Sequence, residues 1–280
     1  MKRFAVLCIG ILLMVPTQIS LNSLRKKIQP AERLGYIPSF EVSYFSSMEY
    51  RLLVSQLLFY DAIFYYGDLM DKPEQRPEYQ KIYQYVATSV RLNPYNIDSY
   101  YFGQAVLTWD ARMVREMNGL LQVGVSKRNW DFYLPFFLGF NYSYFLNQYE
   151  KAGYYTSIAA KLEPRMPFLS TLAGRYYYQA NKTDVAIEYL RTIYSGAKNE
   201  SVKRGLLTRL KALEAIAFLE KRVAAFQKKH GRPPLDLSEL VRSGEMKGIP
   251  NDPYGGEFYF DRHEGRVKTT SNLANPGSDE

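Results

Sequence analysis

The side chains that most often carry chemistry are scarce in this chain. It has two histidines, His230 and His263, and one cysteine, Cys8. No Cys/His group has the spacing of a structural zinc site or a haem attachment. Gly-x-Ser-x-Gly, P-loop, Gly-x-Gly-x-x-Gly and His-Glu-x-x-His patterns are all missing, so a nucleophile elbow, a phosphate cradle and a zinc-protease helix have no sequence basis. Asp110, Glu116 and Glu150 stand singly in helical stretches, with no second carboxylate at a spacing that suggests acid–base work. One speculative ligand set remains. Asp252, Glu257 and Asp261 lie in a turn-rich stretch and would bind calcium only if their oxygens converged. The chain reads as non-catalytic, with no cofactor.

Charge placement narrows the partner classes. The net charge is +8. Lys2, Arg3, Arg25, Lys26 and Lys27 supply five of those charges before the first acid, Glu32, leaving +3 for the rest. A phosphate-binding groove needs clustered Lys and Arg on the folded part. The one modest run, Lys221-Arg222 with Lys228-Lys229, reads as a solvated helix face. No nucleic-acid partner is expected.

The positive start is followed by FAVLCIGILLMV, an apolar run with the layout of an export signal. It is short for a full span unless extended through Leu24, since a span takes about 20 residues. No small-x-small cleavage site follows: Ser20 has Gln18 two positions before it and Ser23 has Leu21. Cys8 lacks a lipobox, because Val6-Leu7 precede it inside the apolar run. An uncleaved signal anchor over 1–24 is the expectation, placing the body in the periplasm of a bacterial envelope; secretion after cleavage is the alternative. Orientation is contested by Arg25-Lys26-Lys27.

The rest of the chain divides by pattern. Residues 25–39 hold two prolines and a glycine and read as a linker. A helical pattern runs from Phe40 to Tyr66 with Gly67 as a stop, then a proline loop, then a helix from about Glu78 to Leu92. Short helices and short polar breaks alternate up to about His230, which favours antiparallel helix pairs. After that Gly and Pro multiply, with one short helix at Leu237–Val241. A β-hairpin is expected from Phe258-Tyr259-Phe260 and Arg266–Thr269 around His263-Glu264-Gly265. Residues 272–280 read as a flexible tail.

A fixed period organises the helical part. Shifting Tyr133–Met166 by 34 residues sets Ala152 on Ala186, Gly139-Phe140 on Ala173-Gly174, Thr156 on Leu190 and Ala159 on Ile193. Small residues at fixed slots let two antiparallel helices approach closely, and Pro164 cannot continue a helix. SVRLNPYNIDSYY (Ser89–Tyr101) and KLEPRMP (Lys161–Pro167) are two versions of one inter-repeat join. This register resembles the tetratricopeptide repeat over about 78–226. Two repeats, Tyr133–Met166 and Pro167–Glu200, fit well. The one at Tyr95–Arg128 is degraded, with Val114 where alanine is usual and Gly103/Ala105 off register.

The resemblance implies an all-α array of helix pairs over 40–226, a protein or peptide partner, and a binding surface on the first helix of each pair. It points to Tyr101, Gln104, Asn141, Tyr144, Arg175 and Tyr178 as groove residues, with Asn141 and Arg175 thirty-four apart. Gly139, Ala152, Ala159, Pro164, Ala173, Gly174 and Ala186 would carry the packing. The dense tyrosines read mainly as contacts between helix pairs.

Residues 227–271 resemble the C-terminal part of type II secretion major pseudopilins. The matching parts are the Gly231-Arg232-Pro233 turn, the Leu237/Leu240 helix and Asp252-Pro253-Tyr254-Gly255 leading into a hairpin. The N-terminus lacks the prepilin cleavage pattern. The combined expectation is an envelope scaffold supporting assembly, export or biogenesis. A cell-wall glycan binder with a tyrosine groove and a structural subunit of a secretion or pilus machine stand as alternatives.

Overall fold

A computed structural model describes residues 14, 16–24, 34–70, 74 and 76–271. Most of the expected signal anchor, including Cys8, lies outside the described residues, as do 25–33 of the linker and the whole 272–280 tail. Residues 16–24 are helical. Among the described residues no helix is long and apolar enough to cross a membrane.

The chain forms two compact units, Met1–Arg128 and Asn129–Glu280. The expected single repeat domain is thus divided after Arg128. Its expected end at residue 226 falls inside a helix, so the C-terminal cap belongs to the second unit.

In the first unit, α1 (Phe40–Ser47) starts at Ser39, whose hydroxyl accepts the Val42 amide. It is followed by a single 3₁₀ turn at Met48–Tyr50 and then by α2 (Arg51–Met70). The helix does not stop at Gly67. A lone glycine costs a helix about 1 kcal/mol, and burial of Tyr65 and Leu69 on either side holds the last turn in place. Next come α3 (Tyr79–Leu92), α4 (Ile97–Gly103), a π-helical stretch at Gln104–Asp110 and α5 (Val114–Lys127).

Buried serines link α2, α3 and α4. The Ser55 hydroxyl donates to the Ser89 carbonyl at 2.9 Å and the Ser89 hydroxyl donates to the Ser55 carbonyl at 2.8 Å. Ser89 and Ser99 hydroxyls lie 2.9 Å apart. Buried hydroxyls need such partners, and serine is small enough to let the backbones close in.

The second unit holds α6 (Tyr133–Tyr144), α7 (Tyr149–Leu162), α8 (Pro167–Gln179) and α9 (Thr183–Gly196). Here the close approaches are made by glycine. A Cβ on Gly139 would overlap the Thr156 hydroxyl, and one on Gly174 would sit 2.9 Å from Leu190 Cδ2. A Cβ on Gly153 would meet the Tyr177 ring at 2.9 Å. Ala152, Ala159, Ala173 and Ala186 are fully or almost fully buried. Pro164 lies two residues beyond the end of α7.

The geometry keeps the step of 34 from Asn147 to Asn181 and shows a step of 35 elsewhere. Helix C-caps with backbone N–H bonded four residues back recur at Asn93, Arg128 and Glu163, steps of 35. Left-handed residues recur between paired helices at Arg112, Asn147 and Asn181. The segment read as degraded keeps these caps and left-handed residues in step, although Gly103 stands 36 residues before Gly139. Gly103 makes the same kind of approach as Gly139 and Gly174: its Cβ would meet Met117 Sδ at 2.8 Å.

The expected short helices do not persist to His230. Instead α10 (Glu200–His230) is one helix of 31 residues. Its buried side includes Leu206, Leu210, Leu213, Ile216, Leu219, Val223 and Phe226, three or four residues apart; no proline interrupts this stripe, which a helix satisfies without a break. Asn199 caps its start and Gly231, at φ 69°, ends it. Then α11 (Leu237–Arg242) leads to β1 (Phe258–Asp261) and β2 (Arg266–Thr269), an antiparallel pair with Phe260 opposite Val267. Leu237, Leu240, Phe258, Phe260 and Val267 join the core built on α10.

Candidate functional site

The first helices of the second unit, α6 and α8, present the best candidate surface. Along α6 the buried side is Leu134, Leu138, Asn141 and Tyr142. This leaves Tyr133, Phe137, Phe140 and Tyr144, spaced 4, 3 and 4, on the opposite side. Tyr133 and Tyr144 are exposed and Phe137 and Phe140 half-buried. The rings of Phe140 and Tyr144 stack with centroids 5.2 Å apart, and Tyr144 meets Phe145 edge-on at 4.9 Å. A run of ring faces with two chemical handles, hydroxyl and π-surface, suits an amphipathic ligand. The neighbouring α8 is tied to α6 through the Ser143 hydroxyl and Tyr176 Oη, 2.9 Å apart. It adds exposed Phe168 and Arg175.

Only part of the expected groove lies on an open surface. Tyr144 and Arg175 are exposed, and Tyr101, in the other unit, is partly exposed. Asn141 is fully buried, on the side of α6 that packs within the repeat, so it cannot grip a partner from there. The error is one of register: Gly139 and Gly174 are equivalent by role, which sets Arg175 on Phe140. Gln104 is also buried, in the π-helical stretch, where it accepts from the Thr108 hydroxyl at 3.3 Å. Tyr178 is taken by the hairpin. Its hydroxyl donates to the Val267 carbonyl at 3.3 Å and the Arg266 guanidinium lies 4.8 Å from its ring centre. Burial raises its phenol above the ordinary range, with Arg266 opposing.

Tyr133, Phe137 and Phe140 were missed, though the 4-3-4 aromatic spacing was readable. One tyrosine contact joins successive pairs, Tyr149 of α7 with Tyr176 of α8 at 6.5 Å, while Tyr142 and Tyr155 stack at 5.6 Å within a single pair.

The calcium set does not assemble. Asp252 is buried and accepts from the Thr269 and Ser271 hydroxyls and, at 2.9 Å, from the Tyr254 amide. Asp261 is paired with Lys268 at 2.7 Å, and that ammonium holds its carboxyl below the usual range, helped by the Glu264 amide. Glu257 is exposed. Among the described residues no group of three or more His, Cys, Asp and Glu converges as a metal would require. Asp252 and Asp261 are hairpin fasteners. Glu220 on α10 is another, 3.7 Å from Arg266; burial pushes its carboxyl up while Arg266 opposes.

A separate cleft of about 610 Å³ lies where α7, α8, α9 and α10 meet, bordered by Lys161, Pro164, Ile193, Lys198 and Val202. Arg165 beside it is bound to Glu163 through two nitrogens at 2.7 Å.

No protein-family model matches the chain, and no curated protein matches it. Among solved structures, a match is MamA, residues 41 to the end, from Desulfovibrio magneticus RS-1. It is 18% identical, covers 65% of this chain and 93% of that one, and has a TM-score of 0.35. A likeness at that level assigns neither family nor function. Each unit is built mainly of helices, and the second adds a small β-hairpin.

Proposed function

We propose that the chain is a non-catalytic scaffold that binds a protein partner, held at a bacterial inner membrane by its N-terminal segment with the body in the periplasm. The observation that carries the binding part is the exposure of Tyr133 and Tyr144 on α6 and of Arg175 on α8, the helices that a tetratricopeptide-like body offers to partners. Such a face combines apolar area with a cation able to take a carboxylate. The tether is supported by sequence alone: Lys2-Arg3, the apolar run, and the lack of a cleavage site. Assembly or export of an envelope complex is the task that suits this combination.

A photo-crosslinking residue at Tyr144, compared with one at the exposed Tyr259 of the hairpin, tests the reading. Specific capture of one protein from position 144, lost on Arg175→Glu, is expected; equal labelling from both positions would remove the proposal. The same ring faces give a glycan reading its support, and glycan-array binding abolished by Tyr144→Ala would favour it instead.

A further inference from the structure

The first unit carries an apolar seam that the second-unit face does not explain. On α2 the buried residues are Ser55, Phe59, Ala62, Tyr65 and Leu69. On the opposite side of the same helix Leu53, Leu57, Tyr60 and Phe64 are all exposed, Leu57 by 52% and Phe64 by 70%. Their spacing of 4, 3 and 4 is that of a helix-packing seam, and Gly67 continues it by 3 with open space around it. Tyr60 and Phe64 stack with centroids 5.8 Å apart, so part of the seam is ordered in advance. A helix apolar on both sides is ordinarily buried.

Charge beside the seam selects the occupant. After Arg51 the helix holds no base, and Asp61 stands exposed beside the seam. Arg51 itself is engaged, donating to Tyr44 Oη at 2.7 Å and to the Met48 carbonyl at 3.0 Å. An anionic bilayer is normally met by basic flanks, which α2 lacks after Arg51. Self-pairing in the antiparallel sense about Tyr60 would set Asp61 of each copy at nearly the same level, like charge beside like. An extended peptide reads alternate residues, not a 3–4 seam. We propose that the outer face of α2 is the docking seam for a partner's amphipathic helix whose apolar stripe is flanked by Lys or Arg. The inference rests on the scaffold reading only in taking the partner to be a protein, and it uses a different surface.

The test uses the full 280-residue chain and three synthetic 21-residue peptides with a Leu stripe of heptad spacing: one flanked by Lys, one by Glu, one broken by a central proline. The Lys-flanked peptide is expected to bind at least about ten-fold tighter than the other two. Leu57→Glu and Phe64→Glu should each weaken it by about ten-fold or more, with circular dichroism unchanged because both side chains are exposed. Asp61→Lys should shift the preference towards the Glu-flanked peptide. Tyr144→Ala and Arg175→Glu should leave the peptide affinity alone, so failure of the seam and failure of the scaffold reading are told apart. Four results would overturn the proposal. They are equal affinity for all three peptides; self-association in sedimentation that Phe64→Glu abolishes; capture by phosphatidylcholine–phosphatidylglycerol vesicles that Phe64→Glu abolishes; or peptide binding that appears only after residues 1–24 are deleted, which would make the chain's own N-terminal segment the occupant.

Discussion

Helices α2 and α10 pose one physical problem and meet it in two ways. Each lies against helix pairs on one side and has large apolar residues to cover. Around α10 the problem is closed within the chain: α11 and the hairpin bring Leu237, Leu240, Phe258, Phe260 and Val267 onto a core that includes Val223 and Phe226. Around α2 it is left open, with Leu53, Leu57, Tyr60 and Phe64 facing outward. Apolar area removed from water is worth about 25 cal/mol per Å². The second unit draws that stabilisation from its own tail, and the first keeps it in reserve for another molecule.

The sharpest way to break this comparison is Phe226→Ala. Phe226 is almost wholly buried and stacks on His230 at 4.2 Å. Emptying such a site costs about 3–5 kcal/mol, expected as a lower urea midpoint for the second unit; a loss under about 1 kcal/mol would mean the cap is loosely held.

How the pairs approach offers a second, smaller test. Gly139→Val has to displace Thr156 or open α6 from α7, an overpacking penalty of about 1–3 kcal/mol. The same change at Gly67, which has open space, should cost much less by the same urea assay. The smallest effect belongs to the seam. Phe64→Ser is exposed before and after substitution, so stability should move by no more than about 0.5 kcal/mol. A larger drop in thermal denaturation would mean that Phe64 is covered within the chain.

These contrasts also explain what could be read from the amino acids. The helix pairs, the Pro164 break, the short helix at Leu237 and the hairpin were all legible, because period, proline and turn residues act locally. The step of the repeat was not. A shift of 34 aligned Ala152 with Ala186 correctly and yet set Asn141, a buried residue, on Arg175, an exposed one. One residue along a helix turns a side chain by roughly a quarter circle, so a register error of one exchanges an inner side for an outer one. Gly103 was off by two, 36 residues before Gly139, although a Cβ there would meet Met117 just as one on Gly139 would meet Thr156. The continuity of α10 was missed because helix length there is decided by a long shared core and not by a stop signal. Asp252 and Asp261 were misread as ligands because sequence does not reveal that Lys268, Thr269 and Ser271 would reach them first.

The hairpin's hold on Tyr178 also bears on the order of events during synthesis. The Arg266 guanidinium donates to the Tyr178 carbonyl at 3.1 Å, and the Tyr178 hydroxyl reaches Val267 across 89 positions of sequence. Helix α8 can form from local contacts as soon as it leaves the ribosome, but those two bonds wait until Arg266 and Val267 have emerged. Contacts so distant in sequence slow the final step of folding. Throughout that interval the end of α8 and the apolar side of α10 stand uncovered, and a chaperone would find its opening there.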